Sequence, residues 1–355
     1  MTVFESDHQI ALDPLPDQPD GVPWPTEAWP VADPPAGVDA ARLDALLDEA
    51  FRTPQPEDHL GVSLATVVVH RGQIIAERYG PTAGPDETLI SWSMAKSFTQ
   101  AAVGLLVADG LLDIHAAAAV PEWQDPGDPR AAITTDQLLR MVSGLEFNED
   151  YVDDDTSHCL EMLWGDEAHL DMARYAASQQ LLHTPGAVFN YSSGTTNILA
   201  RMVGDHVGRD SAFQNWFTDR LLAPIGMRSA EPRFDVAGTF VGSSYLFATA
   251  RDFARFGLLY LRDGVWDGTR MLPEGWVDYA RSPQAVDPDG TQYGAQWWIR
   301  HPGQFSAQGY QAQRIICVPA HDLIVVRLGK TDISLADNLN AWTDAIIDCF
   351  SSPAA

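Results

Sequence analysis

The sequence predicts an α+β fold in which both ends of the chain build one antiparallel sheet flanked by helices, with a mostly helical domain inserted between them. β-Rich runs occur towards both ends of the chain, at 64–70, 73–79, 295–300, 305–318 and 323–328. The first two meet at Arg71-Gly72, which is typical of a hairpin. Residues 113–235 carry mostly helical signals. Strands at both ends of a helical middle favour two packed parts with a cleft between them.

The N-terminal third begins with a proline-rich stretch. Residues 1–38 are predicted to form an extended arm, and Trp24 and Trp29 favour an arm packed on the body over a loose tail, because aromatic side chains gain most from burial. Asp39 is expected to cap a first helix. After the hairpin, the segment from Met94 to Asp109 is apolar on nearly all sides, which is typical of a buried central helix.

These signals divide the chain into three parts. Residues 39–112 and 236–355 are assigned to the sheet domain, and residues 113–235 to the helical domain. Within the second half of the sheet domain, a helix is predicted at 250–262 before the last strands, and a closing helix at about 335–350. The last two β-rich runs are expected to turn at Pro319-Ala320-His321-Asp322.

Composition narrows the classes of function. The 355 residues include 22 Lys+Arg against 49 Asp+Glu, a formal net charge of −27. Such a surface repels nucleic acids and anionic lipids, so neither is expected as a partner. Three widely spaced cysteines suggest neither a disulfide framework nor a zinc site. With no leader-like start and no apolar run of membrane-spanning length, the expectation is a cytoplasmic protein without a metal or organic cofactor.

One of only two lysines in the chain, Lys96, follows Ser93 by three residues, in Ser93-Met94-Ala95-Lys96. Residues i and i+3 share one face of a helix, so the two side chains come within hydrogen-bonding reach. A serine hydroxyl needs a base to become a nucleophile, and a buried lysine serves as one when desolvation disfavours its ammonium form. The alternative is a helix-capping serine and a lysine that reaches for solvent.

Two further segments favour the catalytic interpretation. Pro185-Gly186 predicts a tight turn from which Tyr191 and Ser193 project, and a tyrosine hydroxyl beside a lysine relays protons. In Ser306-Ala307-Gln308-Gly309-Tyr310, Gly309 permits a close backbone approach, so this strand is a candidate for the second oxyanion donor. The alternatives are a packing tyrosine and an ordinary strand.

With these residues the chain resembles the serine β-lactamase and penicillin-binding superfamily, on the class C-like branch with carboxylesterases, D-amino-acid peptidases and 6-aminohexanoate-dimer (nylon oligomer) hydrolases. The resemblance covers about residue 40 to the C-terminus and implies a β-lactamase-like fold. Further segments similar to family landmarks are Ile133–Leu139 with Ser143-Gly144-Leu145, Leu222–Met227 and Thr249–Asp252.

The resemblance implies roles for individual residues. Ser93 is the acylated nucleophile, Lys96 its base partner and Tyr191 the catalytic tyrosine, with Ser193 as the polar residue two positions later. The backbone N–H groups of Ser93 and Tyr310 form the oxyanion hole.

Substrate-binding positions are implied as well, and two departures from the family pattern stand out. Ala307-Gln308-Gly309 lies where the family has Lys-Thr-Gly or a His-x-Gly variant, so the cation that recognises a β-lactam carboxylate is missing. The segment Phe147–Asp153 resembles a loop of the nylon-oligomer hydrolases, in which Tyr151 matches a tyrosine that closes over the amide. An acidic, solvated loop is the alternative, and Asp153, Asp154 and Asp155 either bind a substrate ammonium or face water.

The expected function is therefore a serine hydrolase that acts through an acyl-enzyme on a short ester or a small linear amide, with esters favoured because their leaving groups need less protonation. A β-lactamase or D-amino-acid peptidase is one alternative. A catalytically silent member that binds a ligand is another. The expected partner is a small-molecule substrate, and the oligomeric state, including a homo-oligomer, stays open.

Overall fold

The computed structural model describes residues 12–151 and 157–350. Its strands are β1 (Val62–His70), β2 (Gln73–Tyr79), β3 (Leu89–Ile90), β4 (Glu231–Pro232), β5 (Leu246–Ala248), β6 (Val265–Trp266), β7 (Thr269–Arg270), β8 (Ala285–Val286), β9 (Gln292–Tyr293), β10 (Trp298–Ile299), β11 (Phe305–Gly309), β12 (Gln313–Val318) and β13 (Leu323–Lys330). Its α-helices are α1 (Ala40–Phe51), α2 (Ala95–Ala108), α3 (Thr135–Leu139), α4 (His158–Trp164), α5 (Met172–Ala177), α6 (Ser193–Val207), α7 (Ser211–Phe217), α8 (Ala250–Leu261), α9 (Trp276–Arg281) and α10 (Ala336–Asp348).

The main sheet has the strand order β2-β1-β13-β12-β11-β10-β9-β8, so strands from both ends of the chain pair directly. Its strand pairs are antiparallel in the described residues, and Val67 of β1 lies opposite Val326 of β13. A smaller sheet, β3-β5-β4, stands beside it. The predicted fold class, an antiparallel sheet flanked by helices and built from both chain ends, is confirmed.

Alternation along β1 shows why both faces of this sheet are covered. Val67 and Val69 belong to the main hydrophobic core, whereas Val68 belongs to a second core. Successive side chains of a strand point to opposite faces, so β1 is apolar on both sides. The second core is closed by α1 and α10 through Leu47 and Ile346, and the main core lies on the other face.

The predicted continuous β-rich run at 305–318 is wrong at one point. Residues Tyr310–Ala312 form a short 3-10 turn that separates β11 from β12. Gln311 and Ala312 have φ values of +57° and +62°, in the left-handed region that a strand does not allow. The break turns the chain back on itself, so β11 and β12 pair as a hairpin next to the expected β12–β13 hairpin.

Residues 12–38 lie along the body of the protein. The Trp29 indole donates to the carbonyl of Arg251 at 3.0 Å, and the Trp24 ring contacts Trp266 at a centroid distance of 5.0 Å. Backbone bonds between this segment and Ile74 add it to the outer edge of β2. An uncovered strand edge is prone to pair with other chains, and this segment covers it.

The central helix α2 positions the start of the candidate site. Its residues from Ala95 to Val107 are all buried, which matches the apolar segment that the sequence predicts. Phe98 is fully buried, and its ring stacks on Phe256 of α8 at 3.6 Å with Phe253 edge-on. The described residues include no helix long and apolar enough to cross a bilayer.

Replacing Phe98 with alanine should remove much of the packing between α2 and α8. Large-to-small substitution of a buried phenylalanine costs about 3–5 kcal/mol, because it combines lost transfer free energy with a cavity. We expect a clearly lower urea midpoint by circular dichroism. Val31→Ala is the matched control, since Val31 is 68% exposed and its truncation should leave the midpoint almost unchanged. Equal midpoints for the two variants would contradict this packing role.

Candidate active site

Ser93 lies in a 3-10 turn, Trp92–Met94, that leads directly into α2. This turn is anchored by the residue before it. The Ser91 backbone N–H donates to the Leu246 carbonyl at 2.8 Å, and the Ser91 hydroxyl accepts from the Leu246 N–H at 3.2 Å. The end of β3 is thereby fixed against β5, and Ser93 is presented at the N-terminus of a buried helix with 8% of its surface exposed.

Lys96 is buried, with 1% of its surface exposed, and its amine has three hydrogen-bond partners. Its Nζ lies 2.9 Å from Ser93 Oγ, 2.9 Å from Ser193 Oγ and 3.2 Å from the carbonyl oxygen of Ser243. An ammonium can donate one N–H to each of these three oxygens. A neutral amine can donate to the Ser193 hydroxyl and the Ser243 carbonyl, while its lone pair accepts from the Ser93 hydroxyl. The geometry therefore suits proton transfer between Ser93 and Lys96.

The N-termini of two helices meet at Lys96. Ser193 is the first residue of α6, and its backbone N–H and hydroxyl donate to the two carboxylate oxygens of Glu149 at 2.7 and 2.5 Å. Unpaired N–H groups and the helix dipole favour an anion at this end of a helix. Glu149 also lies 3.8 Å from Lys96 Nζ. The serine hydroxyl thus donates to the carboxylate while it accepts from the lysine.

Tyr191 stands on the other side of the lysine. Lys96 Nζ lies 4.7 Å from the centroid of the Tyr191 ring. Burial raises the pKa of Tyr191, and Ser93 and Lys96, which both act to lower the pKa of the tyrosine hydroxyl, only partly offset this rise. The phenol is therefore protonated at neutral pH, so it can donate a hydrogen bond to a partner at the serine oxygen.

The end of β11 approaches the nucleophile very closely. A Cβ on Gly309 would lie 2.3 Å from the carbonyl oxygen of Ser91 and 3.1 Å from the backbone nitrogen of Ser93. Only glycine fits such an approach. It brings the backbone of Gly309, the residue before Tyr310, next to that of Ser93. Ala307 is buried in the main core with 1% exposure, and its methyl group offers no polar contact. The half-buried Gln308 donates to Ser306 Oγ at 3.0 Å.

Tyr151 lies at the rim of this group with 41% of its surface exposed. Its hydroxyl donates to Glu149 at 2.9 Å, and its ring lies 5.0 Å from that of Tyr310. Desolvation and the Glu149 charge raise the pKa of Tyr151. His158 accepts from the Asn148 backbone N–H at Nδ1. Asp153, Asp154 and Asp155 lie outside the described residues.

Three polar residues at the site were not predicted from the sequence. Glu149 holds Ser193, Asn197 accepts from the Ser243 N–H at 3.1 Å and so orients the carbonyl that contacts Lys96, and Gln296 bridges α2 and α6. Glu149 is one of 49 acidic residues, and no local spacing sets it apart. A glutamate two positions before Tyr151, in the loop already singled out, is the one signal available.

Among residues 12–151 and 157–350, no cluster of three or more His, Cys, Asp or Glu side chains is arranged to hold a metal ion. Cys159, Cys317 and Cys349 are all buried with free thiols. Burial and the neighbouring Glu149 raise the pKa of the Cys159 thiol, so it stays protonated beside the site.

Comparison with known proteins places this geometry in a family. The family model described as "Beta-lactamase" matches residues 50–347. The 6-aminohexanoate-dimer hydrolase of Paenarthrobacter ureafaciens is 29% identical over 330 residues, which cover 86% of this chain and 82% of that protein.

Among solved structures, a candidate 6-aminohexanoate-dimer hydrolase from Bacillus anthracis superposes with a TM-score of 0.72 at 24% identity, over 96% of this chain and 91% of its own. A family VIII carboxylesterase gives 0.65 at 15% identity, over 90% and 99%. Likenesses at this level of identity establish the shared fold. Because the family model spans most of the sequence, the chain belongs to the β-lactamase family of hydrolases.

Proposed function

We propose that the protein is a serine hydrolase that works through an acyl-enzyme on short esters or small linear amides. The observation that carries this proposal is the buried contact of 2.9 Å between Ser93 Oγ and Lys96 Nζ, with the Tyr191 ring 4.7 Å from the lysine. Relatives named as 6-aminohexanoate-dimer hydrolase and carboxylesterase support the substrate class.

The reaction follows from these positions. Ser93 Oγ attacks the substrate carbonyl carbon, and Lys96 Nζ accepts the hydroxyl proton. The N–H groups of Ser93 and Tyr310 hold the developing oxyanion. The leaving group departs with a proton that Lys96 supplies through Tyr191. A water molecule then attacks the acyl carbonyl carbon and gives a proton to Lys96. As the bond between Ser93 Oγ and the acyl group breaks, Lys96 passes this proton to Oγ, which releases the product acid.

Esters are favoured over amides because an alcohol leaves with less need for protonation than an amine. The family cation that reads a β-lactam carboxylate is absent, since alanine occupies position 307 and its side chain is in the core. We therefore propose that β-lactams are poor substrates. The protein needs no organic cofactor for this chemistry, and its partner is the small-molecule substrate.

A labelling and turnover experiment tests the proposal. The protein is treated with a fluorophosphonate and the adduct located by mass spectrometry, while p-nitrophenyl esters, nitrocefin and the 6-aminohexanoate dimer are assayed in parallel. We expect an adduct on Ser93 and turnover of the esters. Absence of both would favour a catalytically silent ligand-binding protein, and rapid nitrocefin hydrolysis would favour a β-lactamase.

Glu149 is expected to position the base. Glu149→Gln keeps the size of the side chain but removes the charge that Ser193 and Lys96 share, and hydrogen bonds to charged groups contribute about 1.5–3 kcal/mol. We expect ester kcat/KM to fall about 10- to 100-fold, measured at constant pH. Glu161→Gln is the control, because Glu161 is an exposed residue of the neighbouring helix α4. Equal activity of the two variants would remove Glu149 from the mechanism.

A further inference from the structure

One side of the candidate site is formed by a continuous row of aromatic rings. Trp92, next to the nucleophile in the chain, lies 6.1 Å from Tyr245 and 5.6 Å from Tyr310, and Tyr310 lies 5.0 Å from Tyr151. Tyr151 and Tyr310 are 41% and 43% exposed, and Trp92 and Tyr245 are half-buried. Large aromatic surface left open beside a reactive group is available for a ligand. We call this row the first aromatic wall.

A second row faces the site from the side of Tyr191. The Tyr191 ring lies 5.1 Å from Trp298 and 5.9 Å from Tyr293, and Phe189 lies 5.3 Å from Tyr293. Tyr293 is buried, but Tyr191, Trp298 and Phe189 are only half-buried. We call this row the second aromatic wall. The two walls adjoin the same reactive pair, since Trp92 precedes Ser93 and the Tyr191 ring covers Lys96.

The backbone of Trp92 has an unfavourable conformation, so the position of its ring costs free energy. Trp92 has a φ of +45°, in the left-handed region that a bulky side chain rarely adopts. Such conformations persist where the surrounding structure enforces them, and they cluster at functional sites. Here the turn lets Ser93 open α2 while the indole of the preceding residue lies against Tyr310.

Charge adds a second constraint on the ligand. Two charged side chains are placed near Ser93: Lys96 Nζ contacts its hydroxyl at 2.9 Å, and Glu149 lies 3.8 Å from Lys96 Nζ. Lys96 already contacts three acceptors, so it is not free to bind a substrate carboxylate. The net charge of −27 further disfavours the approach of an anion.

We propose that the two aromatic walls select substrates that carry an uncharged, flat ring beside the scissile carbonyl, and that an anionic group on that ring is rejected. Flat rings stack on aromatic side chains, whereas a puckered ring of the same size does not make this contact. The inference rests on the hydrolase function proposed above, because it names the substrate class of that site.

Binding is measured first, so that the result does not depend on turnover. Benzamide, cyclohexanecarboxamide and benzoate are titrated by calorimetry into Ser93→Ala, which cannot be acylated at that position. We expect benzamide to bind about three- to tenfold more tightly than cyclohexanecarboxamide, and benzoate to bind more weakly than benzamide. Equal affinities for the flat and the puckered ring, or tighter binding of benzoate, would overturn the inference.

Turnover by the unmodified protein gives the second readout. Phenyl acetate is compared with cyclohexyl acetate, and dimethyl terephthalate is compared with monomethyl terephthalate. In Tyr310→Leu, which keeps the backbone N–H, the phenyl-to-cyclohexyl ratio of kcat/KM should fall about three- to tenfold relative to the unmodified protein. Comparing ratios cancels the different reactivities of the esters. Trp216→Leu on α7 is the control and should leave the ratio unchanged, because its ring packs against Phe213 and Phe217 away from the site.

The two proposals fail in different ways. Absence of both the fluorophosphonate adduct on Ser93 and ester turnover would refute the hydrolase function, while a preference for benzamide in the binding experiment would still support the aromatic walls. A normal adduct and normal turnover with an unchanged ratio in Tyr310→Leu would refute the role of the walls and leave the hydrolase in place.

Discussion

Ser93→Ala is expected to lower ester kcat by about 10⁴-fold or more and to abolish fluorophosphonate labelling, since removal of a catalytic nucleophile leaves only binding and oxyanion stabilisation. The fold should survive the substitution. Lys96 keeps the Ser193 hydroxyl and the Ser243 carbonyl as partners, and its contact with Glu149 is unaffected. Circular dichroism and the urea midpoint should therefore match those of the unmodified protein.

Ser91→Ala provides the matched control two residues earlier. Ser91 is also buried, but its hydroxyl accepts from the Leu246 N–H and anchors the turn. The control should lower the urea midpoint, because an unpaired buried N–H costs about 1–3 kcal/mol, yet it should still form the adduct on Ser93. An adduct that persists in Ser93→Ala, or one that disappears only in Ser91→Ala, would contradict the assignment of the nucleophile.

Much of the fold could be predicted because its signals are local. The β1–β2 hairpin has β-branched residues on each side of Arg71-Gly72, and α2 is apolar on nearly all sides. The break at Tyr310–Ala312 could not be predicted. Gln311 and Ala312 are not residues that favour a positive φ. The contacts that hold the turn come from distant residues, since the Arg327 guanidinium donates to the carbonyls of Gln311 and Ala312 at 3.1 and 3.2 Å, and the Thr331 N–H donates to the Gln311 carbonyl at 3.2 Å.

The residues of the candidate site likewise include some that local sequence predicts and others that it does not. Ser93 and Lys96 are three residues apart, so a helix alone brings them together. Glu149 has its position only because the loop before α4 meets the N-terminus of α6, 44 residues later in the chain. The aromatic walls likewise combine residues from distant segments. Sequence spacing carries information about neighbours on one element, and contacts between elements appear only in the folded chain.

Lys96→Arg and Lys96→Met separate the two things that a buried lysine can supply, a positive charge and a proton acceptor. Arginine keeps the charge near Glu149 but cannot lose its proton, whereas methionine removes both. If Lys96 acts as the base, both variants should lose ester kcat/KM to a similar extent, by about 100- to 10,000-fold, which is the usual contribution of general base catalysis. Substantial activity in Lys96→Arg alone would show that the charge, and not proton transfer, is what the lysine provides.

The chain offers an internal control for this pair, because Lys330 is its only other lysine. Lys330 ends β13 with an exposed side chain, so Lys330→Arg and Lys330→Met should leave turnover within about twofold of the unmodified protein.

Stability should distinguish the two Lys96 variants even if activity does not. Methionine leaves the Glu149 carboxylate, only 14% exposed, without its cation, and loss of one partner of a buried ion pair costs about 3–5 kcal/mol. The Ser193 N–H and hydroxyl still hold that carboxylate, so the lower end of this range is expected, with Lys96→Met unfolding at lower urea than Lys96→Arg.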